Sequence, residues 1–363
     1  MFPASGLHVP FDGRLSLGWR MTSIALFDIK GRSSKTTLVY HLAHMYQRQG
    51  KCVLAIDLDP QSNLTSSFLD EDDLAFLWDE SDPTFPRHQE ALFSRFGLEG
   101  ARTMAHAVEP IVRGTGDIQT VDPIEVTENL WLVSGDLGLS RFEDDFSNSW
   151  APGFSGDEKA LRTTSAFHRI IQDAQRRIDP DITLIDVGPN LGAINRAALL
   201  SADTVLMPLA ADLFSLRGLR NLGPTLREWR HKWQRVVLPW APKGLDLPVG
   251  HMKPLGYVIM QPEMRLDRPV QAYRRWLDRI PMVYDRFVLD GSGDPAGTEH
   301  EIATIRNYRS LMPLAHDARK PMFDLRAADG ALGSTQAFVQ TCYRDFRDLM
   351  EKIDARLAQT VND

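Results

Sequence analysis

The sequence predicts an α/β fold, a doubly wound and mostly parallel sheet with helices on both faces. Three observations carry this expectation. Short apolar runs recur along the chain, at 23–28 (SIALFD), 52–56 (CVLAI), 130–134 (LWLVS), 182–186 (ITLID), 203–208 (DTVLMP) and 255–260 (LGYVIM). Continuous runs of this length read as strands buried on both faces. Helical patterns separate them, and two of the runs lead into acidic turns, at Asp57 and Asp186.

The elements follow in order. After the first strand comes a polar Gly/Ser loop, Lys30 to Ser34, and then a helix over 35–49 with apolar positions at Leu38, Leu42, Met45 and Tyr46. With the run at 52–56 this makes strand–loop–helix–strand, the opening of a parallel sheet. Residues 62–118 are polar and mostly helical in pattern, broken by Pro83, Pro86 and Pro110, and read as a helical insertion. Residues 144–157 are rich in Asp, Ser, Gly and Pro and read as a surface loop. One helix is expected over about 158–178 and a long one over 213–235, carrying Trp229 and Trp233. Beyond a Pro/Gly-rich connector (Pro239 to Pro254) and the strand at 255–260, the region 265–357 reads as helical. It carries a loop at 290–298 and a short extended piece at 321–325. The chain reads as one domain over 21–363. Residues 1–20 are expected to be a disordered extension, because Met21 directly precedes the first strand.

Composition narrows the function classes. A chain of 363 residues, 43% hydrophobic and 25% charged, buries a sizeable core without staples. Its two cysteines, Cys52 and Cys342, lie far apart and in no metal spacing, which speaks for a reducing compartment and against a disulfide framework. The net charge of −7 means that nucleic-acid contact needs a local basic face. No apolar run approaches the ~18 residues of a membrane span, and the N-terminus lacks the apolar core of a signal peptide. A cytoplasmic protein is expected.

The stretch Asp28 to Thr37 joins the first strand to the first helix, where a phosphate-binding loop belongs. Its backbone N–H groups and the helix N-terminus hold phosphates in such loops. Lys35 would reach the β- and γ-phosphates, and the Thr36 hydroxyl would bind Mg²⁺. The strict pattern G-x-x-x-x-G-K-[ST] fails, because Ile29 holds the first glycine position and Ser34 the second. A plain Ser/Lys-rich turn is the competing reading. Two acidic turns accompany the loop, Asp57-Leu58-Asp59-Pro60-Gln61-Ser62-Asn63-Leu64-Thr65 and Leu184-Ile185-Asp186-Val187-Gly188-Pro189-Asn190-Leu191-Gly192. Taken singly, each is an ordinary strand-end Asp. Their order along the chain, each after an apolar strand, is what raises them above that.

Together these segments resemble the ParA/MinD family of partition and positioning ATPases, whose deviant phosphate loop usually reads K-G-G-x-G-K-T-T. The resemblance covers residues 21–220 well and thins beyond. It implies a P-loop NTPase fold with ATP and Mg²⁺ as cofactors. The nucleotide would be held by Lys30, Gly31, Arg32, Ser33, Ser34, Lys35, Thr36 and Thr37, with Lys30 as the signature lysine that reaches the partner subunit's nucleotide across a homodimer. The segment from Asp57 to Thr65 matches the family's D-x-D-P-Q-x-N-x-T. It implies that Asp57 orients the attacking water and senses Mg²⁺, while Asp59 and Gln61 shape a switch for the γ-phosphate. Asp186 matches the Walker B aspartate, so the implied metal set is Thr36, Asp57 and Asp186. Ala202 to Pro208 resembles a fourth block, A-D-x-V-x-x-P, to which no chemistry is assigned. Gln261 stands where family members contact the adenine.

Two departures bear on turnover. Arg32 and Ser34 replace glycines, and a residue strained by its Cβ costs on the order of 1–3 kcal/mol. Arg32 either obstructs the nucleotide or adds a phosphate contact. The expectation is therefore a weak ATPase that dimerises on ATP, with a ParB-like activator protein as partner and a role in DNA partition, segregation or cargo positioning. The alternative is a degenerate P-loop protein that acts as a regulatory scaffold. A metabolic synthetase or reductase of the same superfamily fits less well.

The remaining features read more plainly. Arg265, Arg268, Arg274, Arg275, Arg279 and Arg286 interleave with Asp267, Asp278 and Asp285, which reads as a solvated, salt-bridged face. Non-specific DNA binding through this Arg-rich C-terminal region, extended by Arg306, Arg309, Arg319 and Lys320, rests on the resemblance. Trp229, Trp233, Trp240 and Trp276 read as core or dimer packing. His41 and His44 read as structural, and Ser134, Ser215 and the histidines lack the setting of a hydrolase triad.

Overall fold

The computed structural model describes residues 22–28, 34–78, 100–260, 270–293, 298–308 and 310–360. Within them the strands are β1 (Thr22–Leu26), β2 (Val53–Leu58), β3 (Ile124–Thr127), β4 (Leu130–Val133), β5 (Ile182–Val187), β6 (Thr204–Leu209), β7 (Lys253–Met260) and β8 (Glu301–Ile305). They form one sheet in the order β3-β4-β2-β5-β1-β6-β7-β8. All neighbours run parallel except β3 and β4, which form an antiparallel edge. This is the doubly wound α/β sheet expected, with β1 at its centre.

Side-chain alternation sorts the strands between two cores, one on each face. Ile24 and Leu26 enter one core while Ala25 and, just beyond the strand, Phe27 enter the other. On β2, Val53 and Ala55 part in the same way from Leu54, Ile56 and Leu58. The first face is covered by α1 (Ser34–Arg48), α2 (Asn63–Phe68), α3 (Glu71–Leu77), and two later helices, Met312–Ala318 and Ser334–Thr360. The second face carries α4 (Met104–Val112), α5 (Glu143–Gly153), α6 (Glu158–Thr164), α7 (Ala166–Ile178), α8 (Ala193–Leu200) and α9 (Leu213–Lys232). Then come α10 (Val270–Leu277) and α11 (Ile280–Tyr284), so the two late helices on the first face are α12 and α13. Among the described residues no helix is long and apolar enough to cross a membrane.

The structure adds the edge strand β3, which the sequence reading lacks, and differs from that reading at five further places. Residues 143–153 form α5, not a loop; its first turn, Glu143-Asp144-Asp145, places negative charge at the helix N-terminus, where the dipole favours it. The helix expected over 158–178 is two helices meeting at Ser165, whose backbone leaves the helical region (φ −90°, ψ 4°). The long helix at 213 ends at Lys232 and runs on as a π turn, Trp233–Val237. The piece at 321–325 contains a 3₁₀ turn, Met322–Asp324. Strand β8 lies inside the stretch that reads as helical.

The tryptophans divide. Trp229 and Trp233 are buried, and Trp150 stacks on Trp233 at 6.0 Å with an interplanar angle of 7°. Trp240 is exposed, and Trp276 lies half-buried under the guanidinium groups of Arg275 and Arg279. In the described part of the Arg-rich face, Arg274, Arg275, Arg279 and Arg286 are exposed, and none of them forms an ion pair among the described residues. Arg275 and Arg279 lie over the Trp276 ring and Arg286 over Phe287. Arg265, Arg268 and Arg309 lie outside the described residues.

His41 shows how α1 is fixed to the late part of the chain. Its Nδ1–H donates to the Thr37 carbonyl at 2.7 Å, and its Nε2 accepts from the Met322 backbone N–H at 3.0 Å. The ring stacks on Phe346 of α13 at 5.0 Å. Burial pulls its pKa down to about 4, with the bond to Thr37 opposing. The ring is therefore neutral in the fold and charged in the unfolded chain below its ordinary value of 6.5. Its contribution to stability is complete above that value and is lost as pH falls toward about 4. His41→Leu should cost about 1–3 kcal/mol at neutral pH, because the Met322 N–H loses its acceptor. It should also flatten the stability profile between pH 6.5 and 4. Urea unfolding at stepped pH checks both; equal slopes in the two proteins would place the acid sensitivity elsewhere.

Candidate functional site

The sheet order sets β2, β5 and β1 side by side, so their carboxyl ends open together beneath the N-terminus of α1. This is where open α/β sheets bind ligands. Register places Asp57 of β2 directly beside Asp186 of β5. Lys35, in the first turn of α1, reaches down between the strand ends. Its Nζ lies 3.1 Å from Asp59 Oδ2 and 3.1 Å from Asp186 Oδ1, and it donates to the Val187 carbonyl. Thr36 Oγ1 donates to Asp186 Oδ2 at 2.7 Å. Burial pushes the Lys35 ammonium down, but Asp186 and Asp59 outweigh it, and the lysine is held charged.

Above these groups lies a cavity of about 350 Å³, walled by Lys35, Thr36, Asp59, Gln61, Gly188 and Asn190 among others. Four of the predicted residues, Lys35, Thr36, Asp59 and Gln61, therefore line one space, while Asp186 is fully buried behind it and contacts Thr36 and Lys35. Gln61 is exposed on the rim, and its N–H donates to Asp59 Oδ1 at 3.0 Å. Thr37 is half-buried on α1 and spends its carbonyl on His41. Ser34 begins α1, and its side chain lies outside the described residues, as do Lys30, Gly31, Arg32, Ser33 and Gln261.

Asp57 stands behind the cavity rather than on its wall. It is fully buried, and its carboxylate accepts from Thr65 N–H at 2.9 Å, Thr65 Oγ1 at 2.8 Å and Asp59 N–H at 3.2 Å. It thereby clasps the acidic turn to α2. Gly135 closes it in from β4, where an added Cβ would sit 2.9 Å from Asp57 Cγ. Burial, and next the neighbouring Asp186, raise its pKa to about 7.

The donor set suits Mg²⁺. Thr36 and Asp186 offer a hydroxyl and a carboxylate in contact, both oxygen donors of the kind that ion takes. Among the described residues four buried carboxylates, Asp28, Asp57, Asp59 and Asp186, lie at or behind this cavity with one ammonium, Lys35, which pairs with Asp59 and Asp186.

Sequence reasoning assigned no role to several residues that build the site. Asp28 and Asn63 line the cavity. Glu143 of α5 accepts from the Ala193 and Ile194 N–H groups at 2.6 and 3.0 Å, fixing the start of α8 just after the Asp186 loop. Asn195 donates to the Asn190 carbonyl at 2.7 Å and steadies the same loop. Asn63 and Thr65 lay within a recognised motif; Glu143 and Asn195 had no local signal. In the fourth block, Asp203 accepts from Ser23 N–H and Oγ, both at 2.9 Å, and ties β6 to β1.

The family model described as an AAA domain matches residues 21–237, well over half of the chain. The chain belongs to this family, within the ParA/MinD-like P-loop ATPases. This AAA-domain chain is 28% identical over 213 residues to the chromosome-partitioning ATPase Soj of Thermus thermophilus, covering 58% of this chain and 64% of that one. It is 25% identical over 204 residues to the sporulation initiation inhibitor protein Soj of Bacillus subtilis, covering 56% and 64%. The chain spans about half to two thirds of the length of the curated relatives it matches. Among solved structures it is similar to protein DIP2308 of Corynebacterium diphtheriae, with a TM-score of 0.60 at 22% identity, over 82% of this chain and 97% of that one. It is also similar to the ATP complex of a Cyanothece McdA variant, with a TM-score of 0.55 at 15% identity, over 94% and 98%. At these identities the structural likeness establishes the fold alone.

For this AAA-domain chain, Lys35→Met should leave Asp59 and Asp186 buried without their cation. The expected loss is about 3–5 kcal/mol at neutral pH, shrinking at lower pH as Asp186, whose pKa burial raises, takes up a proton. Adding Asp186→Asn should restore part of it, because an amide needs no counter-charge. Urea unfolding measures both; a loss for Lys35→Met below about 1 kcal/mol would mean that the ion pairs support nothing.

Proposed function

We propose that this chain binds ATP with Mg²⁺ at the head of α1, dimerises on it, and hydrolyses it weakly, acting in DNA partition or segregation or in positioning a cargo. The observation that carries the reading is the convergence of Lys35, Thr36 and Asp59 on one cavity at the carboxyl ends of β2, β5 and β1, with Asp186 bonded to Lys35 and Thr36 behind it. The names of the relatives, a partitioning ATPase among them, and a structural neighbour in complex with ATP support it.

The chain's own groups supply a switch. A polyphosphate entering the cavity offers oxygens to the Lys35 ammonium, in exchange for those of Asp59 and Asp186. Asp186 and the Thr36 hydroxyl are then free to hold the metal, which when bound neutralises phosphate charge. Asp59 loses its lysine, and with it the turn that carries Gln61 and, through Asp57 and Thr65, the start of α2. In the same proposal Lys30 reaches the partner subunit's nucleotide and Gln261 the base. A ParB-like protein would trigger turnover, and the protein would work in the cytoplasm. The exposed guanidinium groups of Arg274, Arg275, Arg279 and Arg286, without ion pairs among the described residues, form the face for non-specific DNA binding.

The deciding measurement is calorimetry of ATP with Mg²⁺ on the native chain and on Arg32→Gly. Micromolar binding by the native chain, followed by slow release of phosphate, is expected. Binding by Arg32→Gly alone would make the native loop a disabled one and the protein a scaffold. DNA binding is tested with Arg274→Ala/Arg275→Ala, which should weaken a random duplex equally for all sequences. The dependence of log K on log salt should flatten by roughly 0.9 for each phosphate that the variant no longer neutralises.

A further inference from the structure

The far half of α1 opens onto a second and larger recess. It lies between Tyr40–Arg48 of α1, the edge strand β3, the 3₁₀ turn Met322–Asp324 and the first half of α13, and encloses about 1200 Å³. That exceeds the ~300–1,000 Å³ usual for small-ligand pockets. Its charge runs against that of the chain. Arg48, Arg319, Lys320, Arg326 and Arg344 line it, with Asp324 as the single carboxylate among the described residues, in a protein of net charge −7. Beneath the cations the lining is apolar and aromatic, from Phe68, Phe323, Val339 and Tyr343. On the same wall His44 Nε2 is buried with no hydrogen-bond partner among the described residues.

The groove already shows what its cations take. Asp324 pairs with Arg48, Asp70 with Arg319 at 3.8 Å and Asp329 with Lys320 at 2.8 Å. Arg326 and Arg344 form no ion pair among the described residues and are exposed. Strand β3, whose Val126 and Thr127 line the groove, pairs with β4 on one side and with no strand on the other among the described residues. Such an edge accepts an extended segment through main-chain hydrogen bonds.

We propose that this groove docks an acidic peptide segment of a partner protein, one that carries carboxylates for Arg326 and Arg344 and apolar side chains for the aromatic floor. A nucleic-acid duplex fits the same features less well. It offers phosphates on a convex surface, and it has no apolar group for a recessed floor or strand for a sheet edge. The groove shares α1 with the nucleotide site but none of its residues, so the proposal stands independently of the ATP reading.

The test is fluorescence anisotropy with the full chain and no nucleotide. The probes are a fluorescein-labelled decapeptide alternating Glu with Phe and Leu, its counterpart with Lys for Glu, and a labelled DNA duplex. The acidic peptide should bind and the Lys peptide should not. Arg326→Glu/Arg344→Glu should weaken the acidic peptide at least about tenfold, whereas Lys243→Glu, a surface reversal elsewhere, should not. Both altered arginines are exposed, so melting should be unchanged, which separates lost docking from lost fold. A benzophenone on the peptide should cross-link to the segment around Gln340 and Tyr343. Absent binding, binding indifferent to the reversal, or cross-links confined to another surface would each overturn the proposal. So would a duplex that binds more tightly than the peptide and loses affinity with the same reversal.

Discussion

One buried ammonium holds the site together. Lys35 is bound by Asp59, Asp186 and the Val187 carbonyl, and these belong to two loops that are remote in sequence. Burying one charge without partners is prohibitive, and burying three is tolerable only where geometry is close. The spacing of the strand ends, the entry angle of α1 and the shape of the acidic turn are therefore not independent. Each is set by the need to bring oxygen within about 3 Å of a single nitrogen.

Helix α1 carries this constraint outward. Its first turn holds Lys35 and Thr36, its middle holds His41, and its last turns form one wall of the basic groove. Fifteen residues of helix span roughly 22 Å as a stiff unit. The His41 ring, hydrogen-bonded at both nitrogens and stacked on Phe346, locks that unit to the segment Met322–Asp324 and to α13. The candidate site and the groove are thus at opposite ends of one rigid element, with the C-terminal part of the chain as its support.

What was legible in the sequence follows from what local pattern can encode. The central strands are buried on both faces and announce themselves as unbroken apolar runs. Edge strands do not: β3 alternates Ile124, Glu125, Val126 and Thr127, and β8 is five residues set among helical patterns. Helix α5 was hidden by Asp, Ser and Pro, residues that favour loops in isolation, and is justified only in three dimensions, where Glu143 caps α8. The Arg-rich segment read as salt-bridged because opposite charges alternate there. In space Arg275 and Arg279 turn to Trp276, and Arg286 to Phe287. The groove was invisible for the same reason, since Arg48, Thr127 and Arg344 meet only through the sheet and α13. The site itself was legible in part. Lys35, Thr36, Asp59 and Asp186 meet as their motifs imply, while the supporting contacts of Asp57 were not foreseen.

Asp57 bears most directly on the altered loop. Its pKa is raised to about 7 because it is buried first and lies beside Asp186 second, both of which oppose a further negative charge there. Among the described residues four buried carboxylates stand there with one lysine, a setting that attracts positive charge. Arg32 belongs, in sequence, to the stretch between the end of β1 and the start of α1. Its Cβ opposes close approach of phosphate, but its guanidinium has the sign that the site lacks and a geometry matched to phosphate oxygens. The two effects oppose each other. Replacing Arg32 with glycine removes both at once, so the sign of the change in ATP affinity reports which of them governs this loop.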